Sequence, residues 1–313
     1  MINNEMDLEK KENRKPLIAF LFSCVYPGLG QLYNGQLHKA VSIYIIELLL
    51  ILTLFYYGIR STFVGFVIGI TMVIIFHIVV IIDSVIVSNK LNNYKLKQFN
   101  KWYFYVLFLL CIYLLNSQVF TYFESYSKNY KIPNSAMENS LLIGDHIISD
   151  QKYFDKHSVN RFDIIIYEYK NKQGNEVKRV IGLPGEKIEI INKEVFINDK
   201  SISSVFIKHI DNRILKKDQG NLTIDNNLMV SRDNFGPYYI PQNSYFVLGD
   251  NRDLSADSRY SGVVNQSEII GKPLYIYFSL GSEPLINFRE YIINKNSKKV
   301  NHIRWDRIGK EIE

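Results

Sequence analysis

The sequence predicts a membrane-anchored α + β protein, with N-terminal transmembrane helices followed by a mostly antiparallel β domain. Three observations predict it. Apolar residues concentrate before Tyr122 and most of the charge follows. Before Tyr122 lie three apolar runs near the ~20 residues that a helix needs to cross a bilayer. After Tyr122 the pattern becomes short β-branched and aromatic runs broken by turn residues. The 313 residues therefore divide into an anchor, 1–122, and a second domain, 123–313.

Residues 1–15 are polar and mixed in charge, with no small-residue cleavage site after a short apolar core. They do not read as a cleaved signal peptide. Leu17 to Tyr26 is apolar, but Pro27-Gly28-Leu29-Gly30 interrupts it after about ten residues, too few to span. Segment 17–36 is read as re-entrant or interfacial, its glycines permitting tight turns. Within it, Pro27 to Gln36 resembles a small membrane motif found at the head of various bacterial proteins. Spanning helices are predicted at about 40–59, 62–87 and 102–120. Lys10, Lys11, Arg14, Lys15 and Lys39 precede the first; Lys90, Lys95, Lys97 and Lys101 lie between the second and third. The positive-inside bias places both groups in the cytoplasm, so two crossings separate them. The third crossing then delivers everything after Tyr122 to the outside. The predicted location is the cytoplasmic (inner) membrane, with membrane lipid as a partner. Glu47, His77 and Asp83 lie inside the apolar runs, where ionisable residues are functional candidates by default. Glu47 and Asp83 are within about two turns of the cytoplasmic ends, which puts the interface in their reach.

His146 to Ser149, Asp163 to Tyr167, Val177 to Ile181, Lys187 to Ile191, Val195 to Ile197 and Tyr245 to Leu248 read as strands. Asn198-Asp199 and Leu183-Pro184-Gly185 are turn signals. Ser201 to Gln242 has the least pattern and reads as an inserted, partly ordered excursion. The formal net charge is +6, but no basic helix or aromatic-basic stripe accompanies it, so no nucleic-acid partner is predicted. The two cysteines, Cys24 and Cys111, sit in apolar runs and make no disulfide framework. The six histidines are scattered, without metal-ligand spacing. No metal and no cofactor are predicted.

Four stretches carry more than fold information. The first is Ile132-Pro133-Asn134-Ser135-Ala136-Met137-Glu138-Asn139-Ser140-Leu141-Leu142-Ile143-Gly144-Asp145. Arg161-Phe162-Asp163-Ile164-Ile165-Ile166-Tyr167 and Lys178-Arg179-Val180-Ile181-Gly182-Leu183-Pro184-Gly185 follow. The last is Gly249-Asp250-Asn251-Arg252-Asp253-Leu254-Ser255-Ala256-Asp257-Ser258-Arg259. In order and spacing they resemble the type I signal peptidases, membrane serine proteases that remove signal peptides from exported proteins. The tail Ile303-Arg304-Trp305-Asp306-Arg307-Ile308-Gly309 resembles that family's C-terminal signature. The resemblance implies a β fold of two sheets and endoproteolysis by a serine/lysine dyad. Preprotein signal peptides, and with them the protein-export machinery, are the implied partners.

A serine hydroxyl needs a base to become a nucleophile at neutral pH, and no histidine accompanies these motifs. The resemblance assigns the base to Lys178. An ammonium cannot accept a proton, so such a lysine must be held neutral, and burial favours that form. Flanking Val177, Val180 and Ile181 suit a side chain entering an apolar wall. By the same resemblance Ser255 orients the lysine amine, and Asp257 and Arg259 shape the site around it. Asp250, Arg252 and Asp253 brace that loop, with Gly144 and Asp145 as turn and bracing residues. The oxyanion hole would combine the N–H of residue 136 with a side-chain donor at Asn134. Met137 follows the nucleophile position. Asn139 stands where the family has proline, which loosens the loop.

The nucleophile position itself holds Ala136, which cannot attack a carbonyl. Three explanations stand: a serine-to-alanine form of an active enzyme, a natural member without its nucleophile, or Ser135 serving in a shifted register. The competing function is a catalytically inactive homologue that binds signal peptides in an intact cleft.

Overall fold

A computed structural model describes residues 11–56, 62–168, 174–216, 222–224, 228–284 and 299–313. Residues 1–10, the end of the first predicted span and parts of the 201–242 excursion lie outside them. The chain forms two compact units, Met1–Glu124 and Ser125–Glu313.

The first unit contains β1 (Lys11–Glu12), α1 (Pro16–Val25), α2 (Leu29–Tyr33), α3 (Leu37–Leu54), α4 (Phe63–Lys90), β2 (Tyr94–Lys95) and α5 (Trp102–Tyr126). Helices α3, α4 and α5 are each long and apolar enough to cross a membrane. Pro16 opens α1, where its missing N–H costs nothing. Gly28, at φ +94°, turns the chain into α2. At Gly30 a Cβ would lie 2.0 Å from Ser23 Oγ and 2.6 Å from the Ala19 carbonyl oxygen, so only glycine lets α1 and α2 approach this closely. Gln31 Nε2 donates to the Val80 carbonyl at 2.8 Å and to Asp83 Oδ2 at 3.0 Å. Asn34 Nδ2 donates to the Ser84 carbonyl at 2.7 Å. The 27–36 motif is thus a dock for α4. Glu47 departs from the expectation of an interface-reaching residue. It is buried, with His77 Nε2 2.8 Å from its Oε1. Asp83 is held by Gln31 and Lys39.

The second unit runs β3 (Ser127–Lys131), β4 (Asp145–Asp150), β5 (Ile164–Glu168), β6 (Asn175–Gly182), β7 (Lys187–Ile191), β8 (Glu194–Ile197), β9 (Lys200–Ile202), β10 (Leu222–Ile224), β11 (Leu228–Val230), β12 (Phe235–Tyr239), β13 (Ser244–Leu248), α6 (Ser258–Ser261), β14 (Val264–Asn265), β15 (Ile269–Pro284) and β16 (Lys299–Ile303). Every strand pairing is antiparallel. The larger sheet follows the order β14-β13-β6-β5-β15-β4-β3, with β16 paired to β15. A four-stranded sheet is β12-β7-β8-β9, and β10 and β11 pair with each other as a separate ribbon, beyond the two sheets expected.

Ile164, Ile165, Ile166 and Tyr167 of β5 are all buried, as a continuous apolar run in a covered strand requires. Ile164 and Ile166 pack with Ile132, Met137, Leu141, Ile147 and Ile276. Ile165 and Tyr167 pack with Val180, Val247 and Val264. The sheet is therefore sandwiched between two apolar layers, and its central strands β6 and β5 are fixed from both sides. The excursion is better tied down than its sequence suggests. Lys208 bridges to Asn251, and the backbone N–H groups of Ile210 and Asp211 donate to Asp253 Oδ2 at 2.7 and 2.8 Å.

Candidate active site

Lys178 lies on β6, opposite Ile165 of β5. On the other side, β13 pairs Val247 with Val180 and Leu248 with Arg179. Gly249 follows the end of β13 directly, and two of the predicted residues converge on it. A Cβ on Gly249 would lie 2.3 Å from Ser255 Oγ and 2.5 Å from the Ala136 carbonyl oxygen. A side chain at 249 would therefore push apart the 136 loop and the 255 loop. The Asn251 N–H donates to that same Ala136 carbonyl at 3.0 Å. The fold thus gathers Ala136 and Ser255 around Gly249, one residue past the strand that pairs with β6.

The loop around residue 136 is firmly held. Met137 and Leu141 anchor it in the apolar layer under β5. Ser140 Oγ donates to Asp250 Oδ2 at 2.5 Å, and Arg179 grips Asp250 through Nε at 2.8 Å and Nη2 at 3.0 Å. Asp145 accepts from Ser279, Arg304, Arg307 and the Leu142 N–H. This carboxylate ties the tail 303–309 to the 132–145 loop, together with Arg304 Nη2 on the Ile143 carbonyl and Arg307 Nη2 on the Ser140 carbonyl. Asn139 sits at φ +107°. Proline is fixed near −65°, so this backbone could not hold a proline there, and the exchange noted in the sequence has a conformational cause.

Asp257 is fully buried and bonded to Arg259 Nε and Nη2 at 2.8 and 2.9 Å and to the Gly249 N–H at 3.0 Å. Burial alone would raise the Asp257 carboxyl, but the Arg259 guanidinium beside it holds it below its ordinary value. Arg252 is pushed down to about 10, first by burial and then by the Arg259 charge. Burial would also raise Asp253, yet the two backbone N–H groups, Lys193 and Arg232 bring it to about 2. These residues shape and brace the 249–259 loop, the structural part assigned to them.

Three hydrogen-bonding roles at the centre differ from expectation. Lys178 Nζ bonds Glu176 Oε2 at 3.0 Å, not Ser255. Ser255 Oγ is buried and makes no hydrogen bond; it lies near Asp257, close enough to favour the charged carboxylate but without closing a bond. Asn134 does not stand beside the N–H of residue 136 as a second donor. Its Oδ1 accepts from that N–H at 3.1 Å. Ser135, partly exposed, makes no hydrogen bond to Lys178. Glu176 is the residue the sequence reading missed. Its signal was its place two residues before Lys178 on a strand, which sets both side chains on one face. A cavity of about 530 Å³ takes in Asn139 and Ser140, but none of Ala136, Lys178 or Ser255 lines it. No cluster able to hold a metal occurs among the described residues.

The β unit thus holds a buried lysine on a central strand and an anchored turn at residue 136. Comparison with known proteins gives the family. The family model for signal peptidase, peptidase S26, matches residues 100–278. A signal peptidase I of Bacillus caldolyticus is 35% identical over 150 residues, 48% of this chain and 79% of that protein. Signal peptidase I U of Bacillus subtilis is 30% identical over 174 residues, 55% of this chain and 87% of that one. Signal peptidase IB of Staphylococcus aureus is 28% identical over 171 residues, 54% and 84%. This chain belongs to the signal peptidase family, peptidase S26.

Proposed function

We propose that this chain holds the signal peptides of exported preproteins in a peptidase cleft, and that the dyad reaction of the cleft waits on a hydroxyl at position 136. The chain is held in the cytoplasmic membrane by α3, α4 and α5, with its N-terminus inside and the β unit outside. The lysine-rich segments before α3 and between α4 and α5 support this orientation. The carrying observation is the convergence at Gly249. The backbone of residue 136 and Ser255 meet there, just past the strand that pairs with Lys178's own strand, and residue 136 supplies only a methyl group.

Each residue has a part in that reaction. A hydroxyl at 136 would attack the scissile carbonyl as Lys178 took its proton. The N–H of 136 would stabilise the resulting oxyanion once the substrate displaced Asn134 Oδ1 from it. Ser255 would steady the lysine amine. In the chain as written these parts remain while bond making cannot start.

Preprotein cleavage in detergent tests this on four forms: the chain itself, Ala136→Ser, Ala136→Ser with Lys178→Ala, and Ser135→Ala. Loss of a dyad nucleophile costs up to about a millionfold in turnover, so the unmodified chain is expected to be near inactive. Ala136→Ser is expected to cleave, and Lys178→Ala to abolish that cleavage. A rate for the unmodified chain close to that of Ala136→Ser, or a folded but inert Ala136→Ser, sinks the reading. Activity of the unmodified chain that Ser135→Ala removes would move the nucleophile to Ser135.

A further inference from the structure

Four polar side chains meet among the helices of the first unit. Tyr26 ends α1, Tyr44 and Glu47 lie on α3, and Asn116 lies on α5. Tyr44 Oη donates to Asn116 Oδ1 at 3.2 Å, and Asn116 Nδ2 donates to Tyr26 Oη at 3.4 Å. Glu47 is 5% exposed, with His77 Nε2 on its Oε1. Its Oε2 is buried and has no hydrogen-bond partner. The Tyr26 hydroxyl lies near Glu47 without closing a bond to it, so its proton is unspent as well. All four side chains line a cavity of about 190 Å³, whose other walls are apolar and include Leu48, Ile51, Val119 and Phe120. Phe120 is 63% exposed, so the cavity reaches the apolar outer surface of the helices.

We propose that this cavity is a binding site for a small apolar molecule bearing one hydroxyl group, an aromatic or short aliphatic alcohol. An apolar cavity of about 150 Å³ holds a benzene ring, so this one has room for a ring and a substituent. The polar side selects the substituent. A buried carboxylate oxygen without a partner is costly, so the ligand must donate to Glu47 Oε2. It must also accept from Tyr26. A hydroxyl does both at once, whereas an ammonium only donates, an ether only accepts and a hydrocarbon does neither. The site uses none of the residues of the proposed reaction.

Methyl NMR of the full chain in deuterated detergent micelles tests this with two probes, benzyl alcohol and toluene. Toluene has the same ring and lacks the hydroxyl. Methyl resonances of Leu48, Ile51 and Val119 report on the cavity. Those of Ile78 and Val79, exposed on α4, report on partition into the micelle. Benzyl alcohol is expected to shift the cavity methyls saturably, at about a tenfold lower mole fraction in the micelle than toluene. In Glu47→Gln and in Tyr26→Phe that ratio is expected to fall towards one. Tyr26→Phe keeps the Glu47–His77 pair, so it reads the site even if Glu47→Gln does not fold. Equal half-saturation by the two probes overturns the proposal, as does a ratio that the variants leave unchanged. Cavity methyls that shift no more than Ile78 and Val79 would show a cavity for water only and overturn it too.

Discussion

Two sets of buried polar groups in the β unit are built on opposite terms. In the bracing set, three buried carboxylates each meet a guanidinium. Asp145 is shared by Arg304 and Arg307, Asp250 is gripped by Arg179, and Asp257 is gripped by Arg259. At the centre, the partners are substitutes or missing. Lys178 pairs with Glu176, the N–H of 136 is capped by Asn134, and Ser255 Oγ bonds to nothing. Dense ion pairing in the brace therefore surrounds a centre held by sparser contacts. A buried charge left unpaired is far more costly than a buried hydroxyl left idle, so the bracing set has little freedom and the centre has much.

The largest expected effect comes from breaking the bracing set. Asp145→Asn removes the charge that Arg304 and Arg307 share and leaves two guanidinium groups against a neutral amide. A cost of about 3–5 kcal/mol is expected. Denaturant unfolding followed by tryptophan fluorescence reads it, since Trp305 lies between those two arginines in sequence. A loss below about 1 kcal/mol would show that the tail 303–309 is not held through Asp145.

A smaller, pH-dependent effect follows at the rim of the bracing set. Asp253 lies at about 2 in the folded chain, against about 3.9 for an unfolded aspartate. Its folded value is depressed, so its contribution to stability is complete above about pH 4 and is lost as pH falls towards 2. The stability difference between the chain and Asp253→Asn is expected to be widest at pH 5 and to narrow steadily at pH 4 and 3. A difference independent of pH would mean that the carboxylate acts through shape alone.

Much of this contrast could be read from the sequence, though unevenly. Strands with clean β-branched runs were legible: Lys187–Ile191 coincides with β7, and Asp163 to Tyr167 matches β5, Ile164–Glu168, to within one residue at each end. Strand β15 was not, because Gly271, Pro273 and Gly281 punctuate it like a loop. The structure absorbs these breaks as register shifts at Pro273/Tyr275 and Ile276/Phe278. Strand β3 was also missed, since Ser127–Lys131 is a polar edge with little apolar signal. At the site, the motifs located the residues, but hydrogen-bond roles were beyond them. Asn134 can donate or accept, and which it does depends on a turn that places its Oδ1 over the N–H two residues on. Lys178 was expected in an apolar wall, and Val180 and Ile165 do flank it on the sheet. The deciding neighbour, Glu176, is visible only once β6 is known to be a strand.

The smallest expected effect sharpens the comparison most, because it sets two serines against each other. Ser140 Oγ donates to Asp250 and accepts from Arg179 Nη2 at 2.9 Å, inside the bracing set. Ser255 Oγ is the more shielded of the two yet closes no hydrogen bond. Ser140→Ala removes hydrogen bonds to two charged groups and is expected to cost about 1.5–3 kcal/mol. Ser255→Ala removes a buried hydroxyl that closes no hydrogen bond, so its cost is expected to be the smaller, within about 1 kcal/mol of zero. Paired denaturant titrations of the two variants measure both. Equal losses would mean that Ser255 carries a bond comparable to those of the brace, and the contrast between the two sets would fail. In the Ala136→Ser background the order should reverse for cleavage. Ser255→Ala then removes a partner of the lysine amine and should slow turnover, while remaining the milder change to stability.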